Sequence, residues 1–354
     1  MSSPTRPLRQ EQEPASTTVT EVAPGILRLQ LPISLPGLGH VNCYALEDGH
    51  GVTLVDPGLP GIDSWNALQD RLGAAGIPLR RVHTVVVTHS HPDHYGGANQ
   101  LRRETGADIV GHDLFRSWWD PGDDRELEAA DPSVPAEPAA RRAPLAMGGG
   151  TAPWGSVFRP PDGPPRMTAT EAQDWMSTPV PTVRLAEADT ITLAGREWVA
   201  VHTPGHTPDH LCLFDPTERV LLSGDHVLPS ITPHISGVGA GADPLAGFFA
   251  SLERMHAFDG AVDTVLPAHG APFGDLGGRV DAIRDHHVER LTLLAEISAR
   301  LGPASVADLS HELFKPRSWG PMAESETYAH LEHLRLAGRA THDEVAGLLI
   351  YRVA

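Results

Sequence analysis

The stretch VVVTHSHPDHYGG, residues 85–97, follows an apolar run with three histidines and an aspartate in six positions: His89, His91, Asp93 and His94. The run reads as a buried strand, and the polar residues lie in the loop that leaves it. Open α/β sheets collect ligand sites at the carboxyl ends of their strands. Imidazole and carboxylate at this density suit metal coordination, so the partners of the cluster decide both fold and function.

Working outward, short strands begin at about Thr18. GILRLQLPI (25–33), NCYALED (42–48) and GVTLVDPG (51–58) precede the cluster, and the last of them carries Asp56 at its end. SWNALQDRLGAAGI (64–77) has helical spacing and a glycine stop. Strands resume at TITLAGREWVAVHT (190–203), LCLFDPTERVLLSGD (211–225) and AVDTVLPAHG (261–270), with DPTER as a hairpin turn. This order predicts an α/β domain whose helices cover sheet. The later strands end on His206, Asp225 and His269. Together with the first cluster they make five histidines and two aspartates, N and O donors for two first-row divalent ions. Zinc is the simplest choice, and manganese or iron is compatible with the same donors.

The remaining sequence sets the surroundings. Residues 1–17 are polar, lack the apolar region of a secretory signal and read as a flexible tail. Residues 113–180 hold eleven of the 33 prolines and four of the seven tryptophans, Trp118, Trp119, Trp154 and Trp175. Insertions of this length and composition within a domain are commonly lids or binding loops, the alternative being a disordered loop with a few anchored aromatics. RVDAIRDHHVERLTLLAEISARLG (279–302), SVADLSHELF (305–314) and AESETYAHLEHLRLAGRA (323–340) read as three helices, and ATHDEVAGLLIYRVA (340–354) as a hairpin. That is a winged-helix layout, giving a catalytic domain at 18–275 and a winged-helix-like domain at 276–354. No apolar run is long enough to span a bilayer. Cys43 and Cys212 form no C-x-x-C pair and read as reduced thiols, which places the protein in the cytoplasm. The formal charge of −18 argues against a polyanionic partner.

Four motifs, THSHPDH, TPGHTPDH, SGD and PAHG, occur in an order and after elements that resemble those of the metallo-β-lactamase superfamily. The resemblance covers roughly residues 20–275 and implies an αββα sandwich with paired metal ions. It implies that His89, His91 and His206 hold a first ion, that Asp93, His94 and His269 hold a second, and that Asp225 bridges them. Asp56 matches a supporting position behind a ligand. His210 is expected to orient a loop, His40 carries a weaker signal, and His226 either faces the substrate or packs. The bland alternatives are a closed structural zinc site and unrelated surface histidines.

Paired ions about 3.5 to 4 Å apart share a water and bring its pKa toward neutrality. The chemistry implied is a bridging hydroxide attacking a thioester or activated ester carbonyl. Asp93 and His226 are the candidate catalytic residues, Asp93 taking the proton of the water and His226 stabilising the oxyanion. The C-terminal layout is similar to that of the β-lactamase-like protein 2 branch, and the ligand set to that of glyoxalase II. Branch members include ribonuclease-type enzymes and thioesterases. From Leu276 onward nine basic residues face eleven acidic ones, so a nucleic-acid reader is disfavoured and a small acyl thioester or ester substrate preferred. A metal-dependent phosphodiesterase or ribonuclease is the principal alternative. A lactonase, a persulfide-type mononuclear iron oxygenase and a non-enzymatic winged-helix sensor follow. A homodimer is compatible with the sequence.

Overall fold

Side-chain alternation along the central strands sets the layering. In β5 (Val82–Val86) and the residue after it, Val85 and Val87 join an apolar cluster with Trp65, Leu68 and Leu101, whereas Val86 joins one with Trp198 and Leu213. In β12 (Leu211–Asp215), Leu211 and Leu213 face that second cluster, and Cys212 and Phe214 a third with Phe248 and Leu252. Strands that are apolar on both faces must be covered on both faces. Two sheets therefore pack against each other and helices close the outer sides.

The computed structural model describes residues 8–35, 37–116, 150–158, 177–239 and 241–354. The first sheet runs β1 (Thr20–Ala23), β2 (Ile26–Pro32), β3 (His40–Glu47), β4 (Val52–Val55), β5, β6 (Asp108–His112) and β9 (Val183–Leu185), parallel from β4 onward. The helices α1 (Ile62–Ala74) and α3 (Ala98–Thr105) supply Trp65, Leu68 and Leu101 to its outer face, and the short α2 (Pro92–Tyr95) lies just before α3. The second sheet runs β10 (Thr190–Leu193), β11 (Arg196–His202), β12, β13 (Val220–Gly224) and β14 (Thr264–Pro267), with only β13 and β14 parallel. Its outer face packs on α4 (Pro244–His256) and α5 (Leu276–Leu301). Asp215 accepts from the backbone N–H groups of Thr217 and Glu218, which makes the expected hairpin turn between β12 and β13.

The C-terminal segment continues through β15 (Ala304–Ser305), α6 (Val306–Leu313) and α7 (Pro321–Leu336) to the hairpin β16 (Ala340–Val345) and β17 (Leu348–Val353). Ser305 caps α6 by accepting from the Asp308 N–H, and Asp308 accepts in return, the reciprocal box that starts a helix. Its apolar residues, Leu331 and Tyr351 among them, belong to the same cluster as Val201 and Leu221 of the second sheet.

One expectation changes. Residues 8–17, read as part of a flexible tail, pack on the catalytic core, because Glu11 is wholly buried and accepts from the backbone N–H groups of Ser230 and Ile231. Of the insertion, β7 (Gly150–Thr151) and β8 (Val157–Phe158) form a small hairpin around Trp154. That indole is buried, donates to Glu324 of α7 at 2.9 Å and lies 5.0 Å from the Tyr328 ring. Trp118, Trp119, Trp175 and any lid built from 117–149 or 159–176 lie outside the described residues. Among the described residues no helix is long and apolar enough to cross a membrane.

Candidate metal centre

Five strand ends deliver the site: β4 gives Asp56, β5 gives His89, His91, Asp93 and His94, β11 gives His206, β13 gives Asp225 and β14 gives His269. The structure brings the seven predicted ligands together as two groups. His89, His91, His206 and Asp225 form one, and Asp93, His94 and His269 the other, each with ligand atoms within 4.8 Å of one another. Asp225 touches both. Its Oδ2 lies 3.4 Å from Nε2 of His206 and 3.6 Å from Nε2 of His94, and its Oδ1 lies 3.3 Å from Nε2 of His269. Asp93 Oδ2 is 3.5 Å from Nε2 of His269 and 3.6 Å from that of His94.

The far nitrogens of His89, His94, His206 and His269 are tied down, which fixes the tautomer and aims the near one inward. Nδ1 of His94 donates to Asp56 Oδ2 at 2.9 Å, as the sequence reading expects of Asp56. The carboxylate of Asp56 also accepts from the backbone N–H and the hydroxyl of Thr88. With its proton given to Asp56, the Thr88 hydroxyl accepts from Nδ1 of His89 at 3.1 Å. Asp56 achieves this at φ 54°, a left-handed conformation that costs a non-glycine residue on the order of 1 kcal/mol. Nδ1 of His269 donates to the His40 carbonyl and Nδ1 of His206 to the His234 carbonyl, both at 2.7 Å.

What remains inside is a set of buried atoms with no hydrogen-bond partner among the described residues: Nε2 of His94, His206 and His269, and Oδ1 of Asp225. Buried polar atoms left unpaired are costly and call for an explanation. A cation supplies one. Burial and the surrounding imidazoles push His89 and His91 well below the usual histidine range, so both offer lone pairs. Burial opposes protonation of His94 and His269 as well, yet Asp93 and Asp225 raise both. Burial likewise opposes ionisation of Asp225, and His269 and His94 more than reverse it. The field that draws protons onto two of these histidines favours divalent cations in the same place. The His/Asp donor set therefore fits divalent metal ions.

The secondary candidates separate. His210 is fully buried, 2.7 Å from the Thr203 hydroxyl through Nδ1, and its Nε2 accepts from the Asp225 N–H. It orients the loop that carries Asp225, as expected. His226 is fully buried with its ring 5.0 Å from that of Phe248, and among the described residues neither ring nitrogen has a hydrogen-bond partner. It belongs to neither ligand group. Burial holds it at about 3, so it is neutral. His40 contributes through its carbonyl to His269, while its Nε2 accepts from the Gly270 N–H. Asp209 went unmarked in the sequence: it accepts from the Ser90 hydroxyl at 3.0 Å, steadying the residue between His89 and His91. His234 and Glu11 were also missed, because neither sits in a motif.

The Metallo-beta-lactamase superfamily profile matches residues 36–269. The chain is 25% identical over 336 residues to the "Probable metallo-hydrolase YqjP" of Bacillus subtilis, covering 87% of this chain and 92% of that one. It is 26% identical over 242 residues to the "Atrochrysone carboxyl ACP thioesterase" of Aspergillus fumigatus, an alignment that spans 68% of this chain and 40% of the fungal protein. A crystal structure of a beta-lactamase domain protein from Burkholderia ambifaria superposes with a TM-score of 0.73 at 28% identity, covering 97% of this chain and 96% of that one.

Proposed function

Because the chain belongs to the metallo-beta-lactamase superfamily, we propose that it is a metal-dependent hydrolase of a thioester or activated ester. The observation that carries the hydrolase reading is the convergence of unpaired buried nitrogen and carboxylate atoms from four strand ends. His89, His91 and His206 would hold one ion, Asp93, His94 and His269 the other, with Asp225 between them. Two zinc ions bound there would supply Lewis acidity and an activated water.

The protein's own groups do the rest. Asp93 takes a proton from the attacking water at its carboxylate as the oxygen bonds to the carbonyl carbon. Collapse breaks the carbon–sulfur bond, and the thiolate departs without needing a proton. Asp56, His210 and the carbonyls of His40 and His234 keep the ligands aimed throughout. We assign His226 to packing rather than to the oxyanion, because its ring lies against Phe248.

The thioester preference draws on the fungal relative described as an ACP thioesterase and on the acidic C-terminal segment. We assign residues 276–354 a winged-helix arrangement from their element order, helix, short strand, two helices and hairpin. Its hairpin turn is covered from within: the Leu349 N–H donates to the Trp154 carbonyl, and Gly155 lies against the Gly347 carbonyl. A wing engaged in this way supports a role in building the site rather than in reading nucleic acid.

The zinc-loaded protein should be assayed on acyl-CoA thioesters, lactones, bis-p-nitrophenyl phosphate and single-stranded RNA. Thioester cleavage that a chelator abolishes is the expected result. Cleavage of RNA with thioesters untouched would overturn the substrate class, and absence of bound metal would overturn the hydrolase.

A further inference from the structure

The Nδ1 proton of His206 goes to a main-chain carbonyl, that of His234, over 2.7 Å. A carbonyl is only as well placed as its loop, and His234 lies in the irregular segment between β13 and α4. Its own side chain holds it. Nδ1 of His234 lies 3.3 Å from Oε2 of Glu326, which projects from α7. Glu326 is in turn 3.7 Å from the guanidinium of Arg290 on α5, which donates to His286 at 3.0 Å and stacks 4.1 Å from the Phe314 ring. A side chain with three such neighbours has little freedom to drift. Burial opposes the charge on Glu326, but His234 and Arg290 hold its carboxyl down at about 2.

We propose that Glu326 is a positioning residue of the metal centre: through the His234 ring it fixes the carbonyl that orients His206. The C-terminal helices thus set the geometry of the first ligand group. The inference rests on the reading of that group as a metal site. Nothing in the motifs announces it, since Glu326 follows Asp225 by about a hundred residues and lies in an otherwise ordinary amphipathic helix.

The test uses cobalt(II) in place of zinc on the full chain, with two readouts: affinity by competition with a chromogenic chelator, and the visible absorption bands that report coordination geometry. Wild type, Glu326→Ala, Glu326→Gln, His234→Ala and the His234→Ala/Glu326→Ala double variant are compared. Loss of a group that orients a ligand typically weakens metal binding roughly 10- to 100-fold. We expect that loss, with shifted bands, in each alanine variant, and no further loss in the double variant, because the two residues act in series. Glu326→Gln should recover part of the affinity, since its amide oxygen still accepts from Nδ1 of His234. His234→Ala keeps the carbonyl and removes only the grip, so it carries the test if Glu326→Ala does not fold. Unchanged affinity and bands in folded variants, or additive losses, overturn the proposal. A wild-type protein that binds no cobalt, zinc or manganese overturns the metal reading itself, which is a separate result.

Discussion

The backbone N–H of Asp225 donates to Nε2 of His210 over 3.0 Å, so the last histidine of TPGHTPDH positions the carboxylate that both ligand groups share. Gly224 makes the approach feasible: it sits at φ +49°, and a Cβ there would come within 2.7 Å of that same nitrogen. His210→Ala should strand the buried N–H, costing about 1–3 kcal/mol of stability. It should also weaken metal binding roughly tenfold or more. Denaturant melts and chelator competition check both, and wild-type values in both would remove His210 from the site.

Asp93 lies in the second ligand group yet is also the candidate proton acceptor. Asp93→Ala should leave the far-ultraviolet spectrum intact and abolish turnover. Metal occupancy separates its two roles: full occupancy with no activity assigns it to proton transfer, and loss of the second ion assigns it to coordination. Retained activity would exclude both.

His226 gives the converse test. An oxyanion donor contributes on the order of 100- to 1,000-fold to kcat. A buried ring packed on Phe248 should instead tolerate a hydrophobic ring of similar volume. His226→Phe is expected to keep kcat within about threefold of wild type. A drop of the larger size would return His226 to the mechanism.

The C-terminal helices should be sensitive to acid. His287 and His330 lie 3.1 Å apart, and burial holds them at about 2 and about 4 against an ordinary 6.5. Below pH 6.5 the unfolded chain takes up protons that the folded chain refuses, so stability is complete above that value and declines as pH falls. By pH 4 the loss should be on the order of 3 kcal/mol from each of the two histidines. Urea melts across this range measure the slope. His287→Gln, which does not titrate, should flatten it, and an unchanged slope would place the acid sensitivity elsewhere.

Trp154 fastens a piece of the insertion to α7. Trp154→Ala removes a buried indole and its hydrogen bond to Glu324, and should cost about 3–5 kcal/mol. Faster proteolysis between β7 and β8 would accompany it. A stability within about 0.5 kcal/mol of wild type, the scatter of a surface substitution, would show that the anchor is dispensable.

How much of this was legible follows from where the information is stored. The seven ligands and Asp56 stand at strand ends beside distinctive motifs, so chemistry and period both point to them. The two-sheet layering was implied by the family resemblance; a run such as 85–87, apolar at every position, shows by itself only a strand covered on both faces. The supports were less so. His40 and His234 act through main-chain carbonyls, which carry no side-chain signature. Glu11 lies in a polar stretch that composition assigns to a tail, and its burial depends on Ser230 and Ile231, more than 200 residues away. Pattern along a chain reports the face a residue presents and not the distant group it meets.

The apolar cluster that joins Val201 and Leu221 to Leu331 and Tyr351 has a practical corollary. A cut after residue 275 would leave two apolar clusters of the sandwich whole and divide the third. A truncation after residue 275 would bare the part of the second sheet's outer side that α5 covers, and a tail borrowed from a cousin would have to match that face before it met a substrate. Heating should melt both parts in a single transition, and natural drift in the tail must be answered by drift in the sheet beneath it.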